Sequence, residues 1–130
     1  MLELAPNGEI FDYIAETGAF SEPVCRFFMS RILSALKHCH DKGFSHRDLK
    51  PENIFFGKNH IIKLADFGFT TVMNGDEKLR TSLGTPGYMA PEIMLQKPYD
   101  GKSVDLFAAA VINFIMKSEI PPFIQAESTD

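Results

Sequence analysis

The sequence predicts an α+β fold that is mainly helical and carries one short β-hairpin. A helical repeat of apolar residues begins near residue 21, and an almost wholly apolar helical segment covers residues 103–118. Between them, two short runs rich in Ile and Phe flank a glycine-containing turn, which is typical of a hairpin. At 130 residues the chain is at most one domain.

The composition is that of a globular chain. Hydrophobic residues make up 45% of the sequence and charged residues 23%. The formal net charge of -4, with no basic patch, argues against a nucleic-acid-binding protein. The longest apolar run, residues 106–116, is far shorter than the roughly 20 residues that span a bilayer, and the N-terminus has no signal-like block. We therefore expect an intracellular, cytoplasmic protein.

The N-terminal third predicts two helices. Residues 1–8 are predicted to be a strand or loop ending in a Pro-Asn-Gly turn, and residues 9–16 a helix that Gly18 ends. Ser21 and Pro23 mark a second helix start, with a capping hydroxyl and a proline in the first turn. An apolar repeat then runs to near Gly43, giving about five to six amphipathic turns. Its members are Val24, Phe27, Phe28, Ile32, Leu36 and Cys39.

Both cysteines fall in this second helix. Cys25 and Cys39 are 14 residues apart, which places their Cα atoms about 21 Å from each other along a helix. A disulfide needs Cα atoms within about 7 Å. We therefore expect free thiols that fill the core.

The remaining elements alternate with loops. Residues 54–56 and 61–64 are predicted as the two strands of the hairpin, and residues 69–90, which lack a period, as one long loop. A short helix is expected from Pro91 and the buried helix from residues 103–118. A Pro-Pro-Phe turn and a polar tail follow.

The main chemical motif is the octapeptide His-Arg-Asp-Leu-Lys-Pro-Glu-Asn at residues 46–53, followed after the hairpin by Asp-Phe-Gly at residues 66–68. A carboxylate, an ammonium and an amide, followed by a second carboxylate, can together hold a divalent metal, neutralise phosphate and accept a hydroxyl proton. A single Asp in a loop is more often an ordinary solvated charge, but the ordered set argues against that interpretation. The two motifs resemble the catalytic loop and metal-binding turn of eukaryotic protein kinases.

The resemblance implies a role for each polar residue of the two motifs. Asp48 would be the catalytic base that accepts the proton of the substrate hydroxyl, and Lys50 would reach the transferred phosphate. Asn53 and Asp66 would bind the Mg²⁺ that bridges the phosphates of ATP. Gly68 would let the metal-binding turn adopt a conformation closed to other residues.

Other residues would align or regulate this site by the same resemblance. His46 and Phe67 look like packing elements between the two motifs. Arg47 looks like the arginine that pairs with a phosphate on the long loop, and Thr81 like the threonine that receives it. An unmodified surface threonine is the open alternative for Thr81.

A second motif, Gly-Thr-Pro-Gly-Tyr-Met-Ala-Pro-Glu at residues 84–92, resembles the kinase segment that ends in Ala-Pro-Glu. Thr85 would hydrogen-bond toward Asp48 and Lys50, a feature of serine/threonine-directed members. Glu92 would be structural. Residues 79–82 resemble the AMP-activated and calcium/calmodulin-dependent group. Taken alone, the Gly-Thr-Pro-Gly part could be a plain turn.

Three further acidic residues, Glu9, Glu52 and Asp105, have more than one interpretation. Glu9 and Glu52 belong with the predicted nucleotide-binding residues, Glu9 toward the ribose, or they together read a basic residue upstream of the acceptor. Glu9 is also consistent with a solvated glutamate at a helix start. Asp105 would anchor the backbone of the catalytic loop, or simply cap the last helix. The run His-Cys-His-Asp at residues 38–41 does not have the spacing of a zinc site.

The resemblance extends from Glu3 to Phe123 but covers only the middle of a kinase domain. The sequence has no G-x-G-x-x-G loop and no lysine in a V-A-I-K-like context. We therefore expect residues 1–130 to be a partial domain, the C-terminal-lobe portion without the N-terminal lobe. Such a chain would expose apolar surface and turn over slowly or not at all.

The expected parent activity is Mg²⁺-dependent transfer of the ATP γ-phosphoryl group to protein Ser or Thr. Its partners would be a Ser/Thr protein substrate, with basic residues upstream of the acceptor, and an upstream activating kinase. Two alternatives stay open. One is a non-catalytic kinase-lobe module that docks substrates or regulators, and the other is a small-molecule phosphotransferase.

Overall fold

The computed structural model describes residues 3–124, and these form an α+β fold with four α-helices and two two-stranded antiparallel sheets. The helices are α1 (Ile10–Thr17), α2 (Glu22–Asp41), α3 (Pro91–Met94) and α4 (Gly101–Ser118). The strands are β1 (Phe44–Ser45), β2 (Ile54–Phe56), β3 (Ile62–Leu64) and β4 (Thr71–Val72), with short 3₁₀ turns at Pro51–Asn53 and Lys58–His60. The predicted fold class is confirmed at this level.

The two long helices, α2 and α4, pack against each other and form the scaffold. The buried face of α2 carries Cys25, Ile32 and Leu36, whereas Val24 and Phe27, which the repeat placed on that face, are exposed. The buried stripe thus begins one position later than predicted, because α2 turns this side toward both α4 and the hairpin. Ser21 is the N-cap residue, but its hydroxyl makes no capping hydrogen bond.

The hairpin forms as predicted, with Ile54 opposite Leu64 and Phe56 opposite Ile62. Its second strand begins one residue later than expected, because Ile61 closes the turn and its side chain is exposed. Below the strands, the Ala65 amide donates a hydrogen bond of 2.9 Å to the Asn53 carbonyl. The pairing of the two strands therefore extends by one residue, to Asn53 at the end of the octapeptide.

The segment predicted as one long loop contains structure that the sequence did not reveal. Within residues 69–90, β4 pairs with β1, with Phe44 opposite Val72 and Ser45 opposite Thr71. Farther along, Leu79 and Tyr99 form an isolated antiparallel bridge. Strands of two residues, paired with partners far along the chain, have no period that a sequence pattern could show.

The last helix, α4, begins at Gly101, two residues earlier than predicted. Its N-cap is Asp100, whose carboxylate accepts hydrogen bonds from the Ser103 amide at 2.9 Å and the Ser103 hydroxyl at 2.7 Å. Asp105 is therefore not the cap. Gly101 lies so close to β1 that a Cβ on it would be 2.6 Å from the Cβ of Ser45.

Several expectations concern the surface and the chain ends. Leu106 and Phe114 on α4 are 49% and 46% exposed, so apolar side chains face outward from this helix.

Both cysteines are free, as predicted, with Cys25 buried and Cys39 half-buried. Among residues 3–124, the helices are too short or too polar to cross a bilayer. The predicted polar tail falls on residues 125–130, outside the described part.

Candidate active site

The backbone of the octapeptide at residues 46–53 is held by one carboxylate from α4. Asp105 is 1% exposed, and its two oxygens each accept a main-chain hydrogen bond of 2.9 Å, from His46 and Arg47. The Ser45 hydroxyl and the His40 ring approach the same carboxylate at 3.2 and 2.8 Å. A buried carboxylate needs such partners, because an unpaired one would be strongly destabilised. The start of the motif is thereby fixed to the scaffold.

His46 connects the octapeptide to the Asp-Phe-Gly turn. Its ring is fully buried, and its Nδ1 accepts the amide hydrogen of Asp48 at 3.2 Å. Since Nδ1 accepts, the ring proton of the neutral imidazole is on Nε2, which donates to the Ala65 carbonyl at 2.9 Å. The same ring meets the Phe67 ring edge-on, with centroids 4.9 Å apart. His46 thus lies between the two motifs, as a packing role would require.

Three predicted residues, Thr85, Lys50 and Asn53, converge around Asp48, whose side chain is 7% exposed. The Thr85 hydroxyl donates to Asp48 Oδ1 at 2.6 Å and accepts from Lys50 Nζ at 3.0 Å. Asn53 Nδ2 donates to the Asp48 carbonyl at 2.9 Å. Asp48 Oδ2 has only longer contacts, 3.4 Å to Asn53 Nδ2 and 3.6 Å to Lys50 Nζ. One carboxylate oxygen is therefore firmly bound and the other is loosely held.

Asp66 lies in a different setting, on the exposed turn after β3. Its backbone is left-handed, with φ of 57°, and its Oδ1 accepts from the Gly68 amide at 3.3 Å. The left-handed residue of this turn is therefore Asp66, and the prediction that Gly68 supplies the special conformation was wrong. Gly68 matters for space instead, since a Cβ there would lie 3.1 Å from Asp66 Oδ1.

Asp66 and Phe67 border an open groove of about 670 Å³. Its walls are mostly apolar, as in small-molecule sites, and its volume falls in the range of such sites. The other lining residues come from the N-terminal loop and from the hairpin: Glu3, Leu4, Ala5, Phe55, Lys63, Leu64 and Ala65. The groove therefore opens beside the carboxylate predicted to bind metal.

Asn53 and Asp66 offer the oxygen ligands that Mg²⁺ prefers, an amide carbonyl and a carboxylate. The Asn53 side chain uses its nitrogen, Nδ2, toward Asp48, which leaves its side-chain oxygen, Oδ1, for another partner. Within residues 3–124 no group of three or more His, Cys, Asp or Glu side chains could hold a metal by itself. These two residues fit a metal that completes its coordination with ligand oxygens and water.

Glu52 has a side-chain oxygen that lacks a partner in the part of the chain that the structure describes. Its Oε2 is buried and has no hydrogen-bond partner among the described residues. Burial, and secondarily the charge of Glu52, raise the pKa of Tyr88 to about 12. Partial burial, together with the charges of Asp12 and Glu52, raises the pKa of Glu9. Glu52 therefore contributes to both shifts, after burial.

Arg47 precedes Asp48 and has a left-handed backbone, with φ of 65°. Its Nε donates to the Phe69 carbonyl at 2.7 Å, and one terminal nitrogen donates to the Tyr99 hydroxyl at 3.2 Å. Thr81 is exposed on the long loop nearby. Glu92, predicted to be structural, lies half-buried in the first turn of α3.

The structure adds three residues to those found from the sequence: His40, Ser45 and Tyr99. His40 belongs to the run at residues 38–41, whose spacing does not suit a zinc site. Its ring contacts the Asp105 carboxylate. Ser45 directly precedes the octapeptide, and only this position in the sequence indicates a role for it. Nothing in the sequence marks Tyr99, because its contacts join segments 18 and 52 residues away.

Comparison with known proteins decides which family this geometry belongs to. Residues 1–130 match the protein kinase domain family. The chain belongs to the protein kinase family. The kinase relatives include CBL-interacting serine/threonine-protein kinase 9 of Arabidopsis thaliana, which is 40% identical over 126 residues. A probable myosin light chain kinase of Dictyostelium discoideum is 43% identical over 127 residues.

A third kinase relative is the liver/testis isoform of the phosphorylase b kinase gamma catalytic chain of Bos taurus, 44% identical over 128 residues. Each of the three alignments covers 95% of this chain and 28–32% of the relative. The chain thus spans less than a third of the length of these kinases. Its relationship to serine/threonine kinases of the calcium/calmodulin-dependent group, predicted from the motifs, is confirmed.

Proposed function

We propose that residues 1–130 are the C-terminal-lobe portion of a serine/threonine protein kinase, from the hinge-proximal helix to the buried helix after the activation segment. The reaction is Mg²⁺-dependent transfer of the γ-phosphoryl group of ATP to a protein Ser or Thr hydroxyl. The observation that carries this proposal is the grouping of Thr85, Lys50 and Asn53 around Asp48: Thr85 bonds the carboxylate, Lys50 bonds Thr85, and Asn53 bonds the Asp48 main-chain carbonyl.

Asp48 is the proposed base, and the asymmetry of its two oxygens supports this role. Oδ1 is held by Thr85, so the carboxylate cannot rotate freely. Oδ2 has contacts of 3.4 Å or longer, which leaves it able to accept the proton of an incoming hydroxyl. Because Thr85 comes from the segment that resembles the Ala-Pro-Glu segment of kinases, the base is oriented by the long loop after the Asp-Phe-Gly turn.

Lys50 is the proposed contact to the transferred phosphoryl group. Its ammonium lies 3.0 Å from the Thr85 hydroxyl and 3.6 Å from Asp48 Oδ2, and its side chain is 24% exposed. A cation at this distance from the base would attract a phosphoryl oxygen to the same place as the acceptor hydroxyl.

Asn53 and Asp66 are the proposed metal ligands, and the groove of about 670 Å³ beside Asp66 is the proposed place of the nucleotide. A bound Mg²⁺ would neutralise charge on the phosphate oxygens. The exposed carboxylate of Asp66 and the side-chain oxygen Oδ1 of Asn53 fit that ion. Glu9 could also contact the ribose.

Glu52, with Glu9, is proposed to read a basic residue upstream of the acceptor in the substrate. Two observations support this proposal: Glu52 Oε2 is buried without a hydrogen-bond partner among the described residues, and Glu52 contributes, after burial, to the raised pKa of Tyr88 and of Glu9. A lysine or arginine of the peptide would supply that cation.

Activation is proposed to act through Thr81. Phosphate on this exposed threonine would lie near Arg47, because the Tyr99 hydroxyl contacts both the Arg47 guanidinium and the Thr81 carbonyl. A charge-assisted pair of phosphate and Arg47 would order the loop, and an upstream kinase would be the partner that creates it.

The first test is Mg²⁺-dependent ATP binding to the purified chain by calorimetry. We expect Asp66→Ala to abolish the Mg²⁺-dependent part of the binding, because it removes a carboxylate ligand. Asp76→Ala is the matched control, since Asp76 is also an exposed aspartate on the loop that follows. Equal binding by Asp66→Ala and the unaltered chain would contradict the proposed metal site.

A second function, docking without catalysis, is favoured by the exposed apolar side chains of α4, Leu106 and Phe114. Some relatives are named CBL-interacting kinases, so those proteins interact with CBL. Titration with a basic Ser-containing peptide separates the two functions. If the peptide binds but is never phosphorylated, in the unaltered chain as in Asp48→Asn, docking is the better description.

A further inference from the structure

Tyr99 lies on the short connection between α3 and α4, and three of its groups contact the long loop. Its amide and carbonyl pair with Leu79 through hydrogen bonds of 2.9 and 2.8 Å. Its hydroxyl donates to the Thr81 carbonyl at 2.8 Å. One residue therefore holds two positions of the segment that bears the proposed phosphate acceptor.

The same hydroxyl also accepts a hydrogen bond of 3.2 Å from the Arg47 guanidinium. Arg47 is tied at its amide to Asp105 and at its Nε to the Phe69 carbonyl, directly after the Asp-Phe-Gly turn. The Tyr99 hydroxyl is thus the point at which the Thr81 segment joins the residue before Asp48.

The ring of Tyr99 and its hydroxyl have separable tasks. The ring is 2% exposed and packs in a small core with Ala90, Ile93 and Val104. Packing needs only the ring, as phenylalanine would provide it. A buried hydroxyl that both donates and accepts is stabilising only while both partners stay in place, so it couples their positions.

We infer that Tyr99 is a positioning residue that transmits the state of the Thr81 segment to Arg47 and hence to the catalytic loop. This inference rests on the proposed function, because that function gives Thr81 and Asp48 their roles. When the hydroxyl loses one partner, the other loses its orientation. Displacement of the segment at Thr81 therefore changes the environment of the guanidinium beside the proposed base.

The test uses Tyr99→Phe, which keeps the ring and deletes the hydroxyl. Two signals are followed in the absence of nucleotide: the side-chain Nε–H resonance of Arg47 by NMR, and amide hydrogen exchange over residues 79–83. We expect the Arg47 resonance to shift and exchange in the segment to rise roughly five- to tenfold. The measurement requires no ATP binding or turnover. A negative result would therefore refute the role of Tyr99 without refuting the proposed function, and loss of ATP binding would refute the proposed function without affecting this test.

Two controls separate coupling from general loosening. Tyr13→Phe removes a hydroxyl that donates to the Asn7 carbonyl at 2.9 Å on the other side of the molecule, and should change neither signal. Val104→Ala loosens the core around the Tyr99 ring and should leave the Arg47 resonance in place. An unchanged Arg47 resonance in Tyr99→Phe would overturn the inference, as would an equal shift in Val104→Ala.

A double variant gives an independent check, which also applies if Tyr99→Phe lowers the melting temperature. Arg47→Lys alone should raise exchange over residues 79–83, because it disturbs the bond to the Tyr99 hydroxyl. In the Tyr99→Phe background the same change should add nothing, since the shared link is already gone. Additive effects of the two substitutions would refute the coupling.

Discussion

The two carboxylates proposed to carry the chemistry, Asp48 and Asp66, lie in opposite environments. Asp48 is buried, with its neighbours fixed by a carboxylate from α4 and by Thr85 from the long loop. Asp66 is exposed, and its side chain bonds only within its own turn in the described part of the chain. One half of the site is formed by the fold, and the other half presents a ligand atom to solvent.

The difference follows from what each carboxylate has to do. A base must be oriented before the substrate arrives, and burial with defined partners provides that orientation. A metal ligand gains its partner only when the ion binds, and a buried carboxylate without that ion would be strongly destabilised. We therefore expect substitutions on the Asp48 side to lower the stability of the chain, and those on the Asp66 side to lower ligand binding alone.

The largest expected effect is that of Asp105→Ala. It leaves the main-chain amides of His46 and Arg47 and the His40 ring without their acceptor, whereas the Ser45 hydroxyl keeps the Gly101 carbonyl. Stranding several buried donors should lower the free energy of unfolding by about 3 kcal/mol or more. The measurement is urea denaturation at neutral pH.

The matched control for that substitution is Asp66→Ala, which removes the same group from an exposed turn. Its effect on the free energy of unfolding should stay within about 0.5 kcal/mol. Comparable losses for Asp105→Ala and Asp66→Ala would mean that the two halves of the site do not differ in the way proposed.

A smaller loss is expected from Gly101→Ala, on the Asp48 side. Replacing a helical glycine by alanine commonly stabilises by up to about 1 kcal/mol. Here the added Cβ would lie 2.6 Å from the Ser45 Cβ and 2.9 Å from the Met73 sulfur, so β1 must move. We expect a net loss of about 1–3 kcal/mol on denaturation. Lys102→Ala, at the exposed next position, should be nearly neutral, and a gain in stability for Gly101→Ala would show that β1 yields easily.

Much of this molecule could be predicted from the sequence because its signals are local. The helices α1, α2 and α4 follow from apolar periods and breakers, and the hairpin from two β-prone runs around a turn. The grouping of Asp48, Lys50 and Asn53 follows from their spacing alone. Each of these inferences depends on residues that are near one another in the chain.

What the sequence did not show depends on distant segments. The pairing of β1 with β4 and the bridge from Leu79 to Tyr99 join short stretches that have no pattern of their own. The stripe of α2 was misplaced because Val24 and Cys25 are both apolar, and only the packed partner decides which is buried. The left-handed residue of the turn was predicted to be Gly68, because glycine adopts this conformation most readily. Aspartate can also adopt it, and in the structure Asp66 does.

The smallest expected effect is a pH dependence of the free energy of unfolding that comes from Asp100. This residue caps α4, the helix whose Asp105 holds the octapeptide. Partial burial raises the pKa of its carboxyl, but the side-chain and main-chain hydrogen bonds from Ser103 outweigh this, so the net pKa is lowered below 3.8. Its stabilising contribution is therefore complete above that value and is lost as the pH falls through the lowered pKa. Denaturation in acid checks it: Asp100→Asn, which can cap without titrating, should lose less stability than the unaltered chain. An equal loss in both would remove Asp100 from the acid response.

The hairpin between Asn53 and Asp66 also decides where the chain tolerates changes in length. Its register is closed at the base by the bond from the Ala65 amide to the Asn53 carbonyl. One extra residue within β2 or β3 would turn the following side chains to the opposite face and separate the two halves of the site. Extra residues at the exposed tip, Lys58–His60, would leave that base unchanged. In evolutionary terms, the tip is free to lengthen and diverge, whereas the strands beneath it are a spacer of fixed length.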